Sequence, residues 1–123
     1  MLKLYGEESR SVVKRGKWVW KTYKPTDPRG IWPGEHFWRQ QLERRVAASR
    51  EPIAWAVINP VRRWFPKTLT AVSRFVHASR PTTELDAEIV RFYAPAWIDD
   101  ITVRNVIVGE YGPVLIDFCV NRV

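Results

Sequence analysis

An α+β fold is predicted by three features of the sequence. β-branched and aromatic residues alternate near the N-terminus, apolar residues recur at helical spacing through the middle, and two apolar runs flank a Gly-bounded turn near the C-terminus. The change of period from two to 3.6 and back separates a sheet, helices and a closing hairpin. At 123 residues the chain suits one small domain. An apolar fraction of 46% with seven Trp, five Phe and four Tyr is ample for a packed core.

The elements follow in order. "VVKRGKWVWKTY", residues 12 to 23, places β-branched and aromatic residues on both sides of Arg15-Gly16, a hairpin signal in which Gly16 takes the turn. "KPTDPRGIWPG" holds three Pro and two Gly in eleven residues and reads as an exposed connection. In "EHFWRQQLERRVAAS" the apolar residues Trp38, Leu42 and Val46 recur every fourth place, which predicts an amphipathic helix. The run "PIAWAVINP" fits a strand or a buried helix equally. "PKTLTAVSRFVHAS", with Leu69, Val72, Phe75 and Val76 on one helical face and Pro at its start, predicts a second helix. "TTELDAEIVRFY" predicts a third, N-capped by Thr83 with Asp86 three places on, and with Leu85, Ile89 and Phe92 as its apolar stripe. Later helices are expected to support a hairpin made from "VIV", "GEYG" and "PVLIDF".

Lys and Arg outnumber Asp and Glu by 20 to 13, a net charge of +7 that favours anionic partners such as nucleic acid, nucleotide phosphates or a membrane surface. For nucleic acid the basic candidates are Arg39, Arg44, Arg45 and Arg50 on the first helix, with Arg62 and Arg63 beyond it. The Trp residues, at helical and strand spacing, read as core rather than as a stacking surface. A single cysteine, Cys119, excludes an internal disulfide and reads as a packing residue. The first ten residues turn polar too early for a signal peptide, and no apolar run approaches the roughly 18 residues of a membrane span. A cytoplasmic protein is therefore expected. His36 and His77 have no partner at ligand spacing and read as surface or helix-face residues.

The hairpin explains the apolar residues of "DDITVRNVIVGEYGPVLIDF", residues 99 to 118, but not Asp100, Asn105 and Asp117. Asn105 and Asp117 sit near the open end of the pair, where their oxygens would suit a hard cation such as Mg²⁺.

These residues resemble two motifs of the protein-kinase-like superfamily. "DITVRN" is similar to its catalytic loop, an Asp followed five places on by Asn, and "LIDF" resembles the strand delivering its Asp-Phe-Gly metal motif. The nine residues between have the length and hairpin character seen there. "GEESRSVVKRGKWVWKTY" resembles the family's nucleotide-binding loop and the strand that follows it.

The resemblance implies ATP and Mg²⁺ as cofactors and a reduced or truncated kinase-like α+β fold. An N-lobe-like part would span about residues 1–59, and a partial C-lobe-like part about 60–123. Gly6 and Ser9 would lie in the nucleotide loop, Lys21 would hold phosphates, and Glu35, or else Glu43, would anchor Lys21. Asn105 and Asp117 would hold Mg²⁺, and Asp100 would orient or deprotonate an acceptor hydroxyl. Departures from the pattern accompany the matches. Only Gly6 survives of three loop glycines, Ile98 stands where the family has His, and Cys119 replaces the Gly after Asp117-Phe118. A phosphotransferase, a silent kinase-like module and a basic nucleic-acid binder are the three functions these features allow. Apolar surface left by absent family helices implies a protein partner or self-association.

Overall fold

The computed structural model describes residues 2–4, 9–23, 35–51 and 57–121. It is an α+β fold of two compact units, one comprising Met1–Val46 with Val61–Phe75 and the other Ala47–Pro60 with Val76–Val123. The exposed connection expected at 24–34 and most of "PIAWAVINP" lie outside the described residues. Of that second run, Ile58 is described and forms an isolated parallel bridge with Leu115.

The first unit is built on a five-stranded antiparallel sheet. Its strands are β1 (Leu2–Leu4), β2 (Ser9–Arg15), β3 (Trp18–Tyr23), β4 (Val61–Phe65) and β5 (Thr70–Arg74), in spatial order β1-β2-β3-β5-β4. The expected hairpin is β2–β3, and Gly16 sits at φ +60 in its turn, a backbone conformation that costs glycine nothing. Helix α1 (Glu35–Ala48) follows the sequence expectation, with Trp38 and Leu42 buried. These two residues pack with Tyr23, Leu69 and Ala71 into one core cluster, to which Val61 and Trp64 add partly buried surface.

The helix expected over 66–79 is not formed. Pro66–Thr68 make a short 3-10 turn, Leu69 takes a left-handed φ of 51, and Thr70–Arg74 become the strand β5 between β3 and β4. The reason is the central place of β5 in the sheet. Leu69, Thr70, Ala71 and Val72 are all buried, with Thr70 and Val72 flanked across the strands by Thr22, Phe65, Trp20 and Arg63, so the run of buried residues imitates the apolar spacing of a helix. Val61–Phe75 consequently belong with the N-terminal sheet.

In the second unit, helix α2 (Glu84–Tyr93) opens with the expected capping box. The Thr83 hydroxyl accepts from the Asp86 amide, while Asp86 Oδ2 accepts from the Thr83 amide at 2.8 Å. Its buried residues are Asp86, Ala87 and Val90, whereas the expected core stripe of Leu85, Ile89 and Phe92 points outward, Phe92 being 81% exposed. Asp86 decides the orientation. Its carboxylate takes a bidentate ion pair from Arg80 at 2.7 Å on each oxygen, so this face of α2 is turned inward with its charge already satisfied.

The hairpin is β7 (Val106–Gly109) with β8 (Gly112–Leu115), preceded by β6 (Ile98–Asp99) and followed by β9 (Cys119–Val120). The fold does not finish on the hairpin, because β9 returns to pair antiparallel with β6. Ile98, Val106, Leu115, Phe118 and Val120 join Ala87 and Val90 of α2 in the core of this unit. Residues 79–82 run beside β7. The Ser79 amide and hydroxyl both donate to Val108 O, and Thr82 Oγ1 donates to Val106 O at 2.7 Å.

Candidate functional site

Asp100, Asn105 and Asp117 are gathered at one end of the second unit by three separate tethers. The β6–β9 ladder pairs Asp99 with Cys119, so the chain leaving β6 at Asp100 lies beside the chain entering β9 from Asp117. The Asn105 side chain donates from Nδ2 to Asp100 O at 2.9 Å and closes the loop between them. The backbone of Asn105 accepts from the Ile116 amide at 2.7 Å, which fixes it next to Asp117 at the open end of the hairpin.

Local sequence chemistry shapes this loop. Asp100 has φ +67, a left-handed conformation that Asp tolerates better than most residues, and its carbonyl is turned to accept the Asn105 amide. Val103–Asn105 form a 3-10 turn in which the Asn105 amide donates to Thr102 O. From α2, Arg91 Nε donates to Ile101 O at 3.0 Å and holds the outer side of the same loop. A second pairing, Asn121 Nδ2 to Asp99 Oδ2 at 2.8 Å, ties the far strand to β6. Phe118 is 1% exposed and anchors the chain directly after Asp117.

The donor set left at this loop is hard oxygen. Asn105 gives its amide nitrogen to Asp100 O, and the partly buried Asp117 follows Ile116, whose backbone amide donates to Asn105 O. One amide oxygen and one carboxylate fit Mg²⁺ of the kind that completes its octahedron with water and phosphate oxygens. Among the described residues no group of three or more His, Cys, Asp or Glu side chains converges. The Asp100 side chain is exposed, at the edge of an open depression of about 280 Å³ lined also by Arg91, Pro95, Ile98 and Ile101.

The other candidates lie in the first unit or outside the described residues. Gly6 is outside them. Ser9 opens β2 and pairs with Tyr23, and Glu35 is the first residue of α1. Lys21 is half-buried in β3, in the cross-strand row Val12–Lys21–Ala71–Trp64. Glu43, the second choice to anchor Lys21, is exposed on α1. His36 and His77 are also exposed, and Cys119 is half-buried in β9. Ile98, standing where the resembled motif has His, is buried and paired with Val120.

The basic helix does not present its arginines as one surface. Arg45 is 3% exposed, donates from Nη1 to the Tyr23 hydroxyl at 2.7 Å, and lies over the rings of Tyr23 and Trp38. Sequence reasoning also missed an open aromatic sheet face, because strands β4 and β5 were not both read as strands. The β-branched residues Val61, Thr70 and Val72 were the available signal.

No family model, curated protein or solved structure matches the chain.

Proposed function

We propose that the protein is a kinase-like, ATP- and Mg²⁺-dependent phosphotransferase acting on a hydroxyl acceptor. What supports this reading is that Asp117, beyond the hairpin, returns to the loop of Asp100 and Asn105 that precedes it, through a ladder, a side-chain hydrogen bond and a backbone hydrogen bond. Each tether is local to the residues that carry the motif resemblance.

In this reading Asn105 and the Asp117 carboxylate would hold Mg²⁺ within the second unit, and the phosphate-binding role of Lys21 is what the motif resemblance implies. Mg²⁺, when bound, supplies charge neutralisation on the phosphate oxygens. Asp100 is exposed and accessible to an acceptor. As the acceptor oxygen bonds to the terminal phosphorus, the bond to the bridging oxygen breaks, the diphosphate departs with that oxygen, and the acceptor proton passes to Asp100. The protein's contribution is placement and electrostatics, which is what this reaction type demands.

A second reading, a catalytically silent kinase-like module that binds a protein or a second copy, is favoured by the outward face of α2. Leu85 at 64%, Ile89 at 38% and Phe92 at 81% exposure lie at i, i+4 and i+7, with Tyr93 beside them. Titration with ATP, with and without Mg²⁺, separates the two. The phosphotransferase reading expects Mg²⁺-dependent binding that Asp117→Ala abolishes and Asn105→Ala weakens in a folded variant. Equal affinity of wild type and Asp117→Ala would discard the site.

A further inference from the structure

The two faces of the five-stranded sheet differ in kind. One carries Val12, Val19, Tyr23 and Ala71, all buried. The register places three cross-strand rows on the other: Arg15–Trp18–Arg74, Val13–Trp20–Val72–Arg63, and Ser11–Thr22–Thr70–Phe65. The period-two alternation of strands puts every member of these rows on the same side.

That side is an aromatic and cationic platform. Trp20 stacks on Phe65 with ring centroids 5.6 Å apart and planes 10° from parallel. Arg15 lies 5.1 Å over the Trp20 ring, Arg63 5.5 Å over Phe65, and Arg74 6.0 Å over Trp18. The rings are half-buried rather than enclosed, and Arg15, Arg63, Arg74 and Lys67 are exposed. An open depression of about 1060 Å³ runs over Trp20, Phe65, Arg15 and Lys67, with the hydroxyls of Ser11, Thr22, Thr68 and Thr70 in its lining. Thr70 Oγ1 meets Thr22 Oγ1 and Thr68 Oγ1 at 2.9 Å each, so the floor beside the rings is polar and ordered.

We infer that this open sheet face binds single-stranded nucleic acid, with Trp20, Phe65 and Trp18 offering stacking surface to bases while Arg15, Arg63, Arg74 and Lys67 meet phosphates. Charge complementarity selects the occupant. Four exposed cations border three aromatic rings on a chain of net charge +7, and no acidic residue falls in the three rows. The rings select single strands over duplex, because only unpaired bases expose a face for stacking. The hydroxyls add donors and acceptors for base edges or sugars without fixing a sequence.

The test uses fluorescence anisotropy of the full chain with labelled 20-nucleotide oligo(dT), oligo(U), a duplex of equal length, and heparin as competitor, over a salt series. Single strands are expected to bind more tightly than duplex, with affinity falling as salt rises. The oligo(dT) and oligo(U) arms decide between DNA and RNA as the preferred source of the same chemistry. Trp20→Ala should weaken single-strand binding about 5- to 150-fold, the range for losing one stacked base. Because Trp20 also stacks on Phe65, Lys67→Glu in the exposed 3-10 turn serves as a second variant that leaves the rings in place. It should weaken binding and flatten the salt slope by about one phosphate contact or more. Duplex binding as tight as single-strand binding, or heparin displacement with both folded variants at wild-type affinity, would overturn the inference and leave only a general attraction for polyanions.

Discussion

Two phenylalanines of the second unit should differ severalfold in their response to the same substitution. Phe118 is 1% exposed in the core with Ile98, Leu115 and Val120, whereas Phe92 is 81% exposed on α2. Phe118→Ala removes a fully buried ring and leaves a cavity, a loss of about 3–5 kcal/mol for such sites. Phe92 hides less than a fifth of its surface, and that fraction of a full burial worth about 1.5–3 kcal/mol gives roughly 0.5 kcal/mol or less. Near this chain length 1 kcal/mol shifts the melting temperature by about 4 °C, so the expected falls are about 12–20 °C and about 2 °C. Urea unfolding followed by far-UV circular dichroism reads both, with the slope required to stay constant so that midpoints compare stability. Similar losses for the two variants would refute the orientation assigned to α2 and restore the Leu85, Ile89 and Phe92 stripe to the core.

Other expectations follow from particular contacts. The Arg80 guanidinium and the Thr83 amide hold the Asp86 carboxyl well below the usual carboxylate range. Its folded-state pKa is depressed, so its stabilisation is fully present above about pH 4, its unfolded value, and is lost as pH falls below that. Acid unfolding should therefore be shallower in Asp86→Asn than in wild type when stability is followed from pH 6 down to pH 2. Gly16→Ala, at φ +60 with open space around a new Cβ, should cost about 1 kcal/mol from backbone strain alone, and Gly16→Asn less, both read by thermal melts. Asn105→Ala should lose about 0.5–1.5 kcal/mol for its hydrogen bond to Asp100 O, in addition to any effect on nucleotide binding.

The N-terminal hairpin, α1 and the capped start of α2 were legible because each is decided locally. Gly16 sits where the turn requires a left-handed residue, Trp38 and Leu42 repeat at helical spacing, and Thr83 with Asp86 closes its own cap. The strand β5 was not legible, because Leu69 to Val72 are buried in the middle of the sheet by flanking strands far apart in sequence. The orientation of α2 failed for a related reason. Its inner face carries Ala87, Val90 and an Asp86 paired with Arg80, and a charged residue on the buried face is what an apolar-stripe reading passes over. At the candidate site, hairpin reasoning placed Asn105 beside Asp117, and the β6–β9 pairing that brings Asp100 to them is too short to leave a sequence pattern. The platform of Trp18, Trp20 and Phe65 required the register of four strands, and single-sequence spacing holds no record of which strands are neighbours.

Asn105 and Asp117 are proposed to hold the metal of a bound nucleotide. Paramagnetic Mn²⁺, substituted for Mg²⁺ with a non-hydrolysable ATP analogue and followed by residue-resolved NMR of the full chain, tests it most directly. The amide signals of Asp100, Asn105, Asp117 and Phe118 are expected to broaden first, only with the nucleotide present, and Asp117→Ala is expected to remove the broadening. Broadening confined to the exposed acidic residues Glu84 and Glu88 of α2, or none at nucleotide concentrations that saturate kinase-like sites, would contradict this proposal.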